Sequence, residues 1–326
     1  MSRGSRRLST HGLEREVRRL AQRRPTVTVA SGGGGGDAAT LDGIDSTGFA
    51  LVGHTHAGVY APFTMPVYTT AGRPAAAEAA AVNYAYAKDT GFPGAWVPGT
   101  PGLNGAAADC STTAGATILG APYLPNPASG SNYLTYGSVA TTVVHSTWLA
   151  DILWYNTGLV VTTTTAQGIT TPTFPARDNQ GSTNGEGYQA AIYVTTATTQ
   201  AGAVTTITLN YTNSVGTASR TATMASFPAT AVLGTWVPFQ LQAGDRGIRS
   251  IQGITLGTTL TAGAISLVVF NYAMRYPVGV ANVGTVPFPP QSPGVRMWNG
   301  ACLWLGYQSS ATTATTINGD FWIMER

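Results

Sequence analysis

Charged residues are scarce in this 326-residue sequence, and lysine is almost absent. Asp, Glu, Lys and Arg together make up 10% of the chain, and Lys88 is the single lysine; a globular chain usually has about a quarter of its residues charged. Hydrophobic residues reach 43%, which excludes disorder driven by high charge and low hydrophobicity. No apolar run approaches the roughly 18 residues of a membrane span. The basic N-terminus lacks the apolar stretch of a signal peptide, so we expect a chain made in a cytoplasm.

Cysteine and histidine are also few, which limits the chemistry that the chain can perform. Cys110 and Cys302 are too few for a disulfide-rich scaffold, and they are not in metal-ligand spacing. The sequence contains no Gly-x-Ser-x-Gly motif. His145 lies within a β-rich run, where a packed histidine is more typical than a catalytic one. We therefore predict no catalytic residues and no enzyme.

The positive charge is concentrated at one end of the chain. Residues 1–24 contain eight Arg and two Glu, whereas the remainder is mildly acidic. Leu13, Val17 and Leu20 have the spacing of a short coiled-coil seam, which Pro25 ends. Residues 1–25 are thus predicted to be a basic arm and coiled-coil anchor that binds other proteins of an assembly. No nucleic-acid partner is predicted, because no aromatic interleaving or known module accompanies the arginines.

The most distinctive segment is ATLDGIDSTGFALVGHTH, residues 39–56, which follows a five-glycine run. His54 and His56 are spaced so that an extended strand would place both on one face. On residue type alone, the pair also fits a solvent-exposed turn. Two imidazoles are too few for a closed site, but three chains meeting on an axis would supply six, which suits octahedral iron or nickel better than tetrahedral zinc.

The same segment resembles one that recurs in bacteriophage tail fibres and tail-tip proteins. The matching residues are Leu41, Asp42, Gly43, Phe49, Ala50, Gly53, His54 and His56. The resemblance implies a homotrimer in which His54 and His56 hold one iron, or another octahedral transition-metal ion, per trimer. Residues 26–62 are accordingly predicted to be a Gly-rich hinge and an extended trimeric neck.

Residues 63–132 are predicted to be a short β unit and a linker. Thr69–Pro74, Tyr86–Thr90 and Trp96-Val97 resemble, more loosely, a small β unit of phage fibres. Ala75–Ala81 would by propensity prefer a helix, so a hairpin and a helix both remain open there.

Residues 133–326 alternate strand-like runs with turn residues, which predicts a C-terminal β-sandwich, jelly-roll-like domain. Residues 211–221 and 241–250 resemble a β domain of phage structural proteins. The chain is therefore expected to be mainly β. Predicted strands are 139–144, 149–155, 159–164, 189–195, 205–212, 218–224, 236–241, 248–256, 264–274, 301–307 and 320–324.

The polar loop 177–187 is the candidate binding site of this domain. Asn179, Gln180 and Asn184, with the nearby Tyr188, could hydrogen-bond to sugar hydroxyls and stack on an apolar sugar face. Trp298, Trp304 and Trp322 are further aromatic candidates, although each also fits the core. The loop contains the one acid pair worth testing for glycan cleavage, Asp178 and Glu186, but turn formation explains it better.

The expected function is that of a structural virion protein, assembled in the host cytoplasm. It would be a trimeric tail fibre or minor tail protein that attaches to a host-surface glycan or receptor, joined to other tail proteins through residues 1–25. A capsid-attached head fibre or decoration protein is an alternative of the same kind. A polysaccharide depolymerase tailspike is an alternative of a different kind.

Overall fold

The structure, a computed structural model, describes residues 40–41, 44–45, 63–68, 82–86, 105–112, 121, 123–284, 294–310, 312 and 317–325. The chain divides into two compact units, residues 1–54 and 55–326. The predicted coiled coil, the five glycines and the stretch 75–81 lie outside the described residues. In the first unit, β1 (Thr40–Leu41) pairs with β2 (Ile44–Asp45).

The described part of the second unit is built of strands, which confirms the expected mainly β class. In chain order they are β3 (Phe63–Tyr68), β4 (Asn83–Tyr86), β5 (Asn132–Thr141), β6 (His145–Asn156), β7 (Gln167–Gly168), β8 (Gln189–Thr199), β9 (Val204–Asn213), β10 (Arg220–Phe227), β11 (Thr235–Pro238), β12 (Ile248–Thr255), β13 (Ala262–Val278), β14 (Val295–Met297), β15 (Leu303–Gln308) and β16 (Ile317–Glu325). Within the described residues there is no helix that could cross a membrane.

Six of these strands form a closed antiparallel barrel in the order β11-β4-β15-β6-β13-β8, with β8 pairing back to β11. Its longest seam joins β6 and β13, from Leu267 opposite Asn156 to Val278 opposite His145. β6 is buried on both faces along most of its length. This burial explains why residues 148–155 are all apolar except Asp151 and do not alternate with polar residues.

Large rings fill the barrel interior. Trp236 lies at its centre, with its ring centroid 4.7 Å from that of Phe270 and 5.3 Å from that of Trp148. A six-stranded barrel has room only for side chains, so small residues must face the indoles. At Gly306, for example, a Cβ atom would lie 2.1 Å from the Trp148 ring. The rings and the small residues together form a packed core.

Two four-stranded sheets cover the outside of the barrel. The sheet β10-β9-β12-β7 packs on one side, where Leu209 and Ile254 share a core with Ile192 and Leu267 of the barrel. The sheet β14-β5-β16-β3 shares a second core with β6, β13 and β15. The hydrogen bonds thus form a barrel between two sheets, and not the two facing sheets of the predicted sandwich. The reason is that β11 and β4 close the central sheet.

Segments from the predicted 63–132 unit complete these sheets. β3 pairs with β16, and β4 pairs with β15 and β11. Cys110 forms a buried disulfide with Cys302, which holds segment 105–112 against the start of β15. No local pattern in the sequence indicates this pairing, because the two cysteines are 192 positions apart.

Candidate functional site

The loop between Phe174 and β8 is organised around one buried carboxylate. Asp178 accepts hydrogen bonds from the amides of Gln180, Ser182, Gly185 and Glu186, at 2.9, 2.6, 3.0 and 3.2 Å, and from the Ser182 hydroxyl at 2.6 Å. Burial alone would raise the pKa of Asp178, but these hydrogen bonds outweigh it and lower the pKa. Asp178 is therefore an ionised residue that shapes the loop.

This arrangement separates the acid pair that the sequence suggested. The Asp178 side chain is fully buried inside its own loop. Glu186 is partly exposed, with a carboxylate oxygen 3.9 Å from a guanidinium nitrogen of Arg246. The two carboxylates do not both face an open site, as glycan cleavage by this pair would require.

Tyr188 supports the loop from beneath. Its ring is fully buried, its hydroxyl donates to the Pro175 carbonyl at 2.6 Å, and the same hydroxyl accepts from the Arg177 amide at 3.0 Å. Burial raises the pKa of Tyr188. The predicted role of Tyr188 as a stacking platform for sugar is therefore wrong, because the ring does not reach the surface.

A buried ion pair lies next to the loop. The Nε atom of Arg177 is 3.1 Å from Oδ2 of Asp151, and Oδ1 of Asp151 accepts from the Cys302 amide at 2.8 Å. The guanidinium also donates to three backbone carbonyls, those of Ala108, Ile152 and Gly300. Arg177 thereby joins the loop, the barrel and segment 105–112. Desolvation raises the pKa of Asp151 to about 6, although Arg177 and the Cys302 amide oppose the rise.

A surface cleft of about 450 Å³ opens above this ion pair, a volume within the range of small-ligand sites. Three regions form it: the barrel at β6 and β13, the loop after Phe174, and residues 295–301. Its lining consists of Asp151, Arg177, Asn179, Gln180, Asn271, Tyr272, Ala273, Val295, Arg296, Met297, Trp298 and Ala301. The side-chain amide of Asn271 donates a hydrogen bond to the side-chain oxygen Oδ1 of Asn179 at 3.1 Å across the cleft. Amides, aromatic rings and two guanidinium groups therefore converge on one opening.

Trp298 holds residues 295–301 against the loop that follows Phe174. The Arg296 guanidinium lies 3.8 Å from the centroid of the Trp298 ring. Gly181, with φ of +71°, approaches the same ring so closely that a Cβ atom would lie 2.3 Å from it. Only glycine fits this approach, because both the backbone conformation and the space exclude a side chain.

Only some of the site residues predicted from the sequence line the cleft. Asn179 and Gln180 are exposed and line the cleft, whereas Asn184 is exposed outside the lining. Trp304 is in the barrel core, and Trp322 is 40% exposed on β16, away from the cleft. His54 and His56 lie outside the described residues. Sequence reasoning missed Asn271, Tyr272 and Arg296, since no local pattern marks residues that only the fold brings together.

Searches against protein-family models, curated proteins and solved structures found no match to this chain.

Proposed function

We propose that the chain is a structural virion protein, a trimeric tail fibre or minor tail protein, which attaches to the host surface by binding a saccharide in the cleft. The resemblance of residues 39–56 to phage fibre segments supports the virion assignment. In this proposal the cleft performs the attachment, because the polar and aromatic side chains that line it complement the hydroxyl groups and apolar faces of a sugar.

The side chains in the cleft are of the kinds that bind saccharides. Asn179, Gln180 and Asn271 offer amide donors and acceptors to hydroxyl groups. Tyr272 is half-buried and lines the same opening, where it can contact the apolar face of a sugar ring. These groups are supplied by the barrel and by a loop fastened through Asp178, so little ordering is needed when a ligand binds.

A trimer would present three copies of a binding site that is weak on its own. In this proposal residues 1–25 form the coiled-coil anchor in the tail and residues 26–62 form the neck. The β domain, which includes β3 and β4 as well as the strands from β5 onwards, faces the host. Three clefts on one shaft bind a repetitive surface with avidity far above the affinity of each.

Binding to host-type polysaccharides tests the attachment function. The full chain is applied to an array of purified bacterial capsular and lipopolysaccharide glycans, and the affinity for each glycan that binds is then measured in solution. Asn271→Ala should weaken that binding about fivefold to tenfold. The change removes a hydrogen bond to the ligand worth about 1 kcal/mol, and it also removes the hydrogen bond that orients the Asn179 side chain.

Asn210→Ala is the matched control, because Asn210 is exposed on β9, outside the cleft lining. Its binding should equal that of the unmodified chain. Absence of binding to every glycan on the array, or equal binding by Asn271→Ala, would contradict saccharide attachment through the cleft.

Native mass spectrometry tests the trimer and the metal together. We expect three chains with one transition-metal ion, and loss of the metal in His54→Ala, because two imidazoles from each chain complete an octahedral set. His11→Ala, which removes a histidine outside the His-x-His motif, should keep the metal. A metal-free monomer would refute the proposed neck.

A further inference from the structure

Arg296 carries a positive charge that no carboxylate of the cleft lining neutralises. The lining contains one carboxylate, that of Asp151, and two guanidinium groups. Arg177 and Asp151 pair with each other. Arg296 is exposed and has no ion-pair partner among the residues that the structure describes. A ligand in the cleft thus meets one available positive charge.

The position of this guanidinium suits a planar anion. Its stacking on Trp298 covers one face of the group and limits its motion, while the N–H groups point outward in the plane. Two parallel N–H groups match the two oxygens of a carboxylate. Arg275 adds positive charge nearby, with its guanidinium 5.0 Å from the centroid of the Tyr272 ring.

Phosphate fits the same cleft less well. Phosphate sites in proteins typically use a nest of backbone N–H groups. The loop does form such a nest, from the amides of Gln180, Ser182, Gly185 and Glu186, but the carboxylate of Asp178 already occupies it. The cleft therefore offers side-chain amides and one guanidinium fork to its ligand.

We propose that the cleft is specific for acidic saccharides, in which a sugar carboxylate pairs with Arg296 while hydroxyl groups bind the amides of Asn179 and Asn271. This inference rests on the proposed saccharide-binding function and names the class of sugar. A charge-assisted bidentate contact is stronger than a neutral hydrogen bond, so the carboxylate provides most of the discrimination between acidic and neutral sugars.

The test compares each acidic polymer with its own neutral form. The probes are polygalacturonate, alginate and hyaluronan, each alongside a derivative in which the carboxyl groups are reduced to hydroxymethyl groups. We expect the full chain to bind at least one of the acidic polymers about tenfold or more tightly than its reduced form. Arg296→Gln should abolish this preference but retain the binding of the neutral form.

Arg249→Gln is the matched control, because it removes the same charge from an exposed position outside the cleft lining. It should keep the full preference. Binding of the acidic and reduced forms with equal affinity would overturn the acidic specificity while leaving saccharide attachment intact. Absence of binding both here and on the glycan array would overturn the attachment function itself. A preference that persists in Arg296→Gln would refute the role of this residue.

Discussion

Replacing Arg177 by Met is expected to lower the free energy of unfolding by about 3–5 kcal/mol, because the change leaves a buried carboxylate without its partner. Asp151 is only 7% exposed at the base of the cleft, so water replaces the lost guanidinium only in part. Three backbone carbonyls lose their donor as well. Urea unfolding followed by tryptophan fluorescence measures the loss.

The loss should depend on pH in a defined direction. In the folded protein the pKa of Asp151 is about 6, above its ordinary value of 3.8. The folded state therefore binds this proton more tightly than the unfolded state, and the protein loses stability as pH rises from about 4 to about 6. Removing the positive charge of Arg177 raises the pKa further. The variant should consequently lose more free energy of unfolding, relative to the unmodified chain, at about pH 8 than at about pH 5.

Two variants make this test specific. Arg249→Met removes an exposed arginine and should change the stability by less than about 0.5 kcal/mol. Adding Asp151→Asn to Arg177→Met should recover part of the loss, because no buried charge then remains. A loss that is the same at all pH values would show that Arg177 acts through packing alone.

Removing the Cys110–Cys302 disulfide should destabilise the protein by a similar amount. The bond closes a loop between residues 192 positions apart, for which the chain-entropy relation gives about 5 kcal/mol. Cys110→Ala with Cys302→Ala should therefore lower the free energy of unfolding by about 4–5 kcal/mol. The cavity left by two buried sulfur atoms adds to the effect.

Treatment with a reductant tests the contribution of the disulfide to stability without changing any side chain. The unmodified chain in dithiothreitol should unfold at nearly the temperature of the double alanine variant, whereas that variant should not respond to dithiothreitol. Equal unfolding temperatures of the unmodified chain with and without reductant would contradict the disulfide.

Local patterns in the sequence predict most of the strands but not their arrangement. The runs at 189–195, 205–212, 248–256 and 264–274 fall within or closely match β8, β9, β12 and β13, because alternation and β-branched residues are local signals. The strand predicted at 159–164 is wrong, since these residues form a turn and an irregular segment. There the Gln167 side chain bonds to both backbone groups of Val160, at 2.8 and 2.9 Å, in place of a neighbouring strand.

The barrel and the cleft depend on pairings that no local pattern specifies. β4 completes the barrel by lying between β11 and β15, which are far away in sequence. The sequence predicts Asn179 and Gln180 as site residues, because a polar loop is a local signal. Arg296 lies on a three-residue strand, and Asn271 lies within a long apolar one. Neither has a sequence context that marks a site.

The position of β15 between β4 and β6 in the barrel also determines how the chain must fold. β15 pairs with β6 and β4, and Asn83 lies opposite Gln308 in the register. Similarly, β16 lies between β5 and β3 at the far end of the chain. Such non-local pairings make folding slow, because a long loop must close before its contacts form. A nascent chain on the ribosome therefore cannot close the barrel until β15 has been synthesised and released from the exit tunnel.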